Sequence, residues 1–262
     1  MLGRIAFSLI ALALVTSAAS GAIVRESRQV VIAGKTEQWQ LVWEAAPKPI
    51  CGPDDPEMAM TCPCSGFAYG EMGNLTLQRK RGGKVIDRLA LGPFFEDLPA
   101  SDSDGLAAMQ WRPFRLGDVD GDRPAPNLMK WIRARPGPRV MQLADYDHDG
   151  EASEFLVQVS AGPCGHTQYV ALGISRARPR LHALGTASNP DAALVMAGSA
   201  WQTLLEAMGE ARATVWPCGD HGAEERGEIV LSARHGVIEA SHRRYSCPDD
   251  GSPEVLLGSE RL

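Results

Sequence analysis

Between residues 145 and 154 the chain reads Asp-Tyr-Asp-His-Asp-Gly-Glu-Ala-Ser-Glu, so carboxylates stand at alternating positions and a glycine follows the third. Hard cations are held by six to eight oxygens. Alternating aspartates in a tight turn aim at one point, and a glycine permits the bend that closes the turn. The chemistry on offer is oxygen coordination of Ca²⁺. The donors would be the side chains of Asp145, Asp147 and Asp149, the backbone oxygen of Glu151, and Glu154 or Ser153 with water. The pattern has a second copy, because residues 115–122 align without a gap on 142–149. In the loop at 118–127, Asp118, Asp120 and Asp122 take positions one, three and five, and Asn127 stands where Glu154 does. Arg123 and Pro124 replace the permissive glycine there, so the turn at 145–154 is the better formed. Neither loop is an EF-hand, which needs a bidentate Glu at position twelve and an exiting helix. Leu156 holds that position, and the β-favouring run 155–159 surrounds it.

Other chemistry is sparse. The chain has no HExxH, no GxSxG, no glycine-rich phosphate loop with a lysine and no CxxC pair. Residues 216–225 gather Asp220, His221, Glu224 and Glu225 beside Cys218. A hydrolase could use Asp220 and His221 as an acid and base. Neighbouring residues on a strand point to opposite faces, however, and no nucleophile accompanies them, so a disulfide-pinned polar loop is the better reading and no catalytic residue is assigned. His148 falls at an even position of an oxygen-ligand loop and should point outward, while His166, His235 and His242 have no partner at a metal-binding spacing. The six tryptophans read chiefly as core, with a stacking platform for a glycan as the alternative.

The elements that would position these residues are mostly strands. Residues 36–44 alternate so that Trp39, Leu41 and Trp43 share a face. Hairpins are expected for 75–78 with 85–91 around the turn 80–83, for 128–134 with 139–143 around 135–138, for 154–160 with 168–174, and for 228–233 with 237–241 around 234–236. One helix is expected within 191–211, in its safer form from Ser199 onward because Gly198 weakens the pattern.

Arg4, the apolar run 5–15 and the small residues 16–22 form a secretory signal peptide, too short in its apolar part to span a bilayer. A single β-rich domain from 23 to 262 should follow, secreted or periplasmic. All six cysteines lie in it. The expected framework joins Cys218 to Cys247, Cys51 to either Cys62 or Cys64, and Cys164 to the other. A zinc site from Cys51, Cys62 and Cys64 with a histidine is the rival. Net charge is -6, and about -7 without Arg4, with no Lys/Arg cluster, which argues against nucleic acid and anionic membrane as partners.

The segments LGDVDGDRP and LADYDHDGEASEFLVQV resemble the aspartate loops of FG-GAP and VCBS repeats. That resemblance implies a mainly β fold, a small or divergent β-propeller in which a Ca²⁺ loop leads into a blade strand. A disulfide-stapled β-sandwich with one short helix is the alternative. The function expected is an exported, calcium-binding, non-catalytic module that engages a protein partner, with enzyme inhibition as one such role. A carbohydrate-binding module and an exported metal-dependent hydrolase are the competing readings.

Overall fold

The computed structural model describes residues 21–52, 64–95, 98, 104–113, 127–162, 166–248 and 252–262. The expected signal peptide lies almost wholly outside these residues, as do Cys62, Cys164 and the aspartates of the loop at 118–127.

In chain order the elements are β1 (Ile23–Ile32), β2 (Lys35–Trp43), β3 (Lys48–Ile50), α1 (Cys64–Phe67), β4 (Gly70–Gly73), β5 (Leu75–Arg81), β6 (Lys84–Ala90), β7 (Ala107–Gln110) and α2 (Leu128–Ala134). They continue with β8 (Glu154–Ala161), β9 (Thr167–Gly173), β10 (His182–Ala183), β11 (Met196–Ala197), α3 (Gly198–Glu206), β12 (Ala211–Trp216), β13 (Glu225–Arg234), β14 (Val237–Ser246) and β15 (Leu256–Arg261). The fold is mainly β. Its strands form four antiparallel sheets, ordered β1-β2-β5-β6, β3-β4-β7, β10-β9-β11 with β8 also on β9, and β12-β13-β14-β15. Among the described residues these sheets do not close into a barrel or a propeller.

The β9 sheet is the central layer. Along β8 the residues alternate, and Phe155, Val157 and Val159 pack with Trp39, Leu41, Trp43, Leu75 and Leu77 of the first sheet. On β9, Val170 and Leu172 face the same way, whereas Ala171 joins Trp201, Leu204, Ile229, Leu231 and Ile238 on the opposite side. A strand covered on both faces has no solvent side to mark with polar residues, which is why Val170, Ala171 and Leu172 run on without alternation.

The first sheet is fastened to the rest by ionic side chains. Glu37 lies on the buried face of β2, almost fully enclosed, and accepts hydrogen bonds from Arg79 (2.8 and 3.0 Å), Arg81 (2.5 Å) and the Trp39 indole (3.1 Å). Burial alone would raise its pKa, but those hydrogen bonds outweigh it and hold the carboxyl below its ordinary value. Arg79 also donates to Pro179 O, Asp87 accepts from Leu181 N, and Glu26 accepts from the amides of Val140 and Met141. These contacts draw two irregular segments, around 140 and 180, onto the sheet.

Four expected hairpins become three. Residues 128–134 form the helix α2 instead of a strand, with Leu128 and Ile132 on its buried side, and 139–143 stay irregular. Leu128 and Ile132 lie four apart and pack against Cys51, Cys64, Ala68 and Tyr69, a helical spacing that the Pro-Gly-Pro turn signal obscured. The helix α3 begins one residue before the safer expected start. Hairpin β1–β2, turning at Ala33 and Gly34, was not anticipated.

Cys51–Cys64 and Cys218–Cys247 are disulfides, the first closing a segment of the second sheet and the second tying the approach to β13 to the end of β14. The Cys51–Cys64 bond also removes two thiolates from the zinc site considered above. The third pairing falls outside the described residues.

Because Leu172 is fully enclosed in the central layer, Leu172→Ala is expected to lower unfolding free energy by about 2–5 kcal/mol in urea melts. Leu257→Ala, at a site 49% exposed, should change it by less than about 0.5 kcal/mol. Equal effects would show that the central-layer assignment is wrong.

Candidate metal centre

The loop before β8 is shaped by hydrogen bonds from its own backbone. Asp149 N–H donates to Asp145 Oδ1 (2.9 Å) and Asp147 Oδ1 (3.1 Å), Gly150 N–H to Asp145 Oδ2 (2.9 Å), and Glu151 N–H to Asp149 Oδ1 (2.8 Å). Gly150 sits at φ 91°, where a side chain would be strained. The loop closes on itself through paired hydrogen bonds between Ala144 and Glu154, where β8 begins.

Two other parts of the fold clamp it. Arg176, just after β9, donates its amide to Asp149 Oδ2 (2.6 Å). From the fourth sheet, the β13–β14 turn places His235 N–H on His148 O (3.1 Å) and Gly236 N–H on Asp147 O (2.9 Å). Tyr146 meets Trp201 of α3 edge to face at 5.6 Å. None of these partners is adjacent in sequence, and no local motif announced them.

As a result, carboxylate oxygens of Asp145, Asp147 and Asp149 lie within 4.8 Å of one another, and the group could hold a metal ion. Asp147 is 1% exposed and Asp149 8%. Five of the six oxygens accept an amide proton, yet each keeps lone pairs that no N–H uses, and buried Asp147 Oδ2 has no hydrogen-bond partner at all. Burial first, and then the Asp149 charge, push Asp147 up to about 7. An enclosed anionic oxygen with no donor is costly, and a cation in the group would remove that cost. The residues present therefore fit a metal. Below the loop, a cavity of about 160 Å³ is bordered by Asp147, Ser175, His182, Thr186 and Gly236.

Glu154 is fully buried but stands outside the three-carboxylate group. Its Oε2 accepts from Tyr146 N–H (2.9 Å) and its Oε1 lies 2.5 Å from the Ser153 hydroxyl. Burial pushes it up to about 9, with Asp147 and Asp149 adding and those hydrogen bonds opposing. The side chain of Glu151 reaches Arg176 at 3.8 Å, while its backbone oxygen accepts from Ser153 N–H (3.0 Å). In the other loop, Asp118, Asp120 and Asp122 lie outside the described residues. Asn127 caps α2 without a side-chain hydrogen bond, and a helix rather than the expected strand follows it.

The segment at 216–225 is pinned by the Cys218–Cys247 disulfide, as the polar-loop reading expected. Asp220 pairs with His166, whose Nε2 lies 3.3 Å from Asp220 Oδ2, and the His166 ring meets Trp216 at 4.8 Å. His166 belongs to the far side of the β8–β9 connection, and nothing local to Asp220 pointed to it. No family model, curated protein or solved structure matches the chain.

Asp147 and Glu154, both raised, bind more protons folded than unfolded from about pH 4 up to those values and so make stability fall as pH rises. His182, lowered by burial, opposes that fall below its ordinary value of 6.5. In chelator, urea melts from about pH 5 to 9 are expected to show that fall, and Asp147→Asn should flatten its lower half. Stability rising over the same range would mean that the loop carboxylates are compensated without a cation.

Proposed function

We propose that the chain is an exported, calcium-binding, non-catalytic binding module that engages a protein partner, with inhibition of an enzyme as one form of that engagement. The observation that carries the calcium reading is Asp147 Oδ2, buried, without a donor, and set in a group of three carboxylates. All-oxygen donors favour a hard cation over zinc or copper, and a loop that supplies carboxylates without a preset octahedral cage suits Ca²⁺ better than Mg²⁺.

The role proposed for calcium is structural. Neutralising the loop would stabilise the contacts that the β13–β14 turn and Arg176 make with it, and thereby the seating of the fourth sheet on the central one. Four short antiparallel sheets, with an aspartate loop leading into β8, are the material of a small divergent propeller of the FG-GAP/VCBS kind, and we extend that reading to this chain. Export is supported by the Arg4–Ala22 pattern and by two disulfides, which persist in oxidising compartments. Among the described residues, no helix is long and apolar enough to cross a membrane. The partner reading draws on β15, which lies at the edge of its sheet with Leu256 and Leu257 about half exposed.

Calorimetric titration of the chelator-stripped mature chain with Ca²⁺ is expected to give a dissociation constant between about 1 µM and 1 mM, with weaker or no heat from Mg²⁺. Asp147→Asn should weaken binding at least about tenfold, and Asp120→Asn reports separately on the loop at 118–127. No heat and no change in melting temperature with Ca²⁺ would sink the calcium reading.

A further inference from the structure

A cleft of about 420 Å³ opens between the start of α3, the outer end of β9 and strands β12 to β14, away from the aspartate loop. Its volume is in the range of small-molecule sites. The floor is apolar, formed by Met196, Val215 and Ile229. Around it stand His166, Thr167, Gln168, Tyr169, Ser199 and His242, six side chains with hydrogen-bonding groups, of which His166 has its Nε2 on Asp220. Among the described residues no Lys, Arg, Asp or Glu lines the cleft, although the chain carries 26 basic and 32 acidic residues.

That lining selects for ligand chemistry. A carboxylate or phosphate would find no fixed positive charge. A purely apolar ligand would strip water from six polar side chains without replacing its hydrogen bonds, which is unfavourable for each group left unpaired. A ligand suits this lining if it is neutral, carries hydroxyls that donate and accept around its rim, and has one apolar C–H face. Those are the properties of a sugar ring. The apolar face has a counterpart in Trp216, whose ring lies in tilted contact with that of His166, at 34° and 4.8 Å between centroids. From outside the cleft lining, Asp220 holds the His166 ring through its Nε2.

We propose that this cleft binds a neutral sugar unit of a mono- or disaccharide, its C–H face on Trp216 and its hydroxyls on His166, Gln168, Tyr169 and His242. Asp220 acts as a positioning residue for His166. The site lies apart from the metal centre and does not depend on calcium being the bound cation.

The test is calorimetry and tryptophan fluorescence with N-acetylglucosamine, its disaccharide, cellobiose and maltose, and with phenylacetate as an anionic aromatic control. Trp216→Ala removes the platform. Val195→Trp, at a rim position 43% exposed, fills the mouth without touching the core. At least one of the sugars is expected to bind at millimolar concentration or below. Both variants should weaken it about tenfold or more with melting temperature kept, and Asp220→Asn should weaken it less than Trp216→Ala. No binding by any of the sugars, binding that survives Val195→Trp, or a preference for phenylacetate over every sugar would each overturn the proposal. Repeating the titration in chelator on protein shown to be folded separates its failure from failure of the calcium reading.

Discussion

The electrostatic constraint at the aspartate loop is the one around which the described fold is arranged. Three carboxylates held within 4.8 Å, two of them nearly inaccessible to water, repel one another and lose hydration at the same time. The amides of Asp149, Gly150, Glu151 and Arg176 offset part of this, since each N–H points at a carboxylate oxygen. They do not reach Asp147 Oδ2. The loop is also where the central sheet, the segment after β9 and the β13–β14 turn meet, so its charge balance bears on how the fourth sheet sits against the third.

Elsewhere the charges are matched within the protein. Glu37 is as deeply buried as Asp147, but two arginines and an indole N–H saturate it, and its pKa moves down where that of Asp147 moves up. The contrast between the two acids separates a carboxylate whose oxygens its own fold saturates from one with an oxygen that no donor reaches. A buried pair of the first kind costs desolvation and returns specificity. Glu37 and Arg79 fix which segments lie over the first sheet.

Strands were legible from residue type and turns even where both faces are buried, as over 39–43 of β2 and 227–231 of β13. For β2, β5 with β6, β8 and β13 with β14 the period of two and the Gly-containing turns sufficed. α2 was misread as a strand because its seven residues are too few for the helical period to outweigh the adjacent Pro-Gly-Pro turn. Of the candidate site, Asp145, Asp147 and Asp149 could be found from spacing, since a turn of fixed geometry converges alternating side chains. Glu154, expected as a ligand with Ser153 as the alternative, lies outside that group of three, and its Oε2 accepts from Tyr146 N–H. Arg176, His235 and Gly236 could not be anticipated, because their contribution is a backbone amide, and a backbone amide leaves no mark on residue type.

By itself the sequence determined what is local: the aspartate turn, the alternating strands and the short helix near Ser199 all follow from residue type and spacing over a few positions. Only the tertiary structure decided which groups are buried and what faces them. It left Asp147 Oδ2 without a donor and gave Glu37 three, joined Asp220 to His166, and opened a cleft at the start of α3. The reason is physical: hydration loss and pairing depend on atoms brought from distant parts of the chain, and no local pattern encodes them.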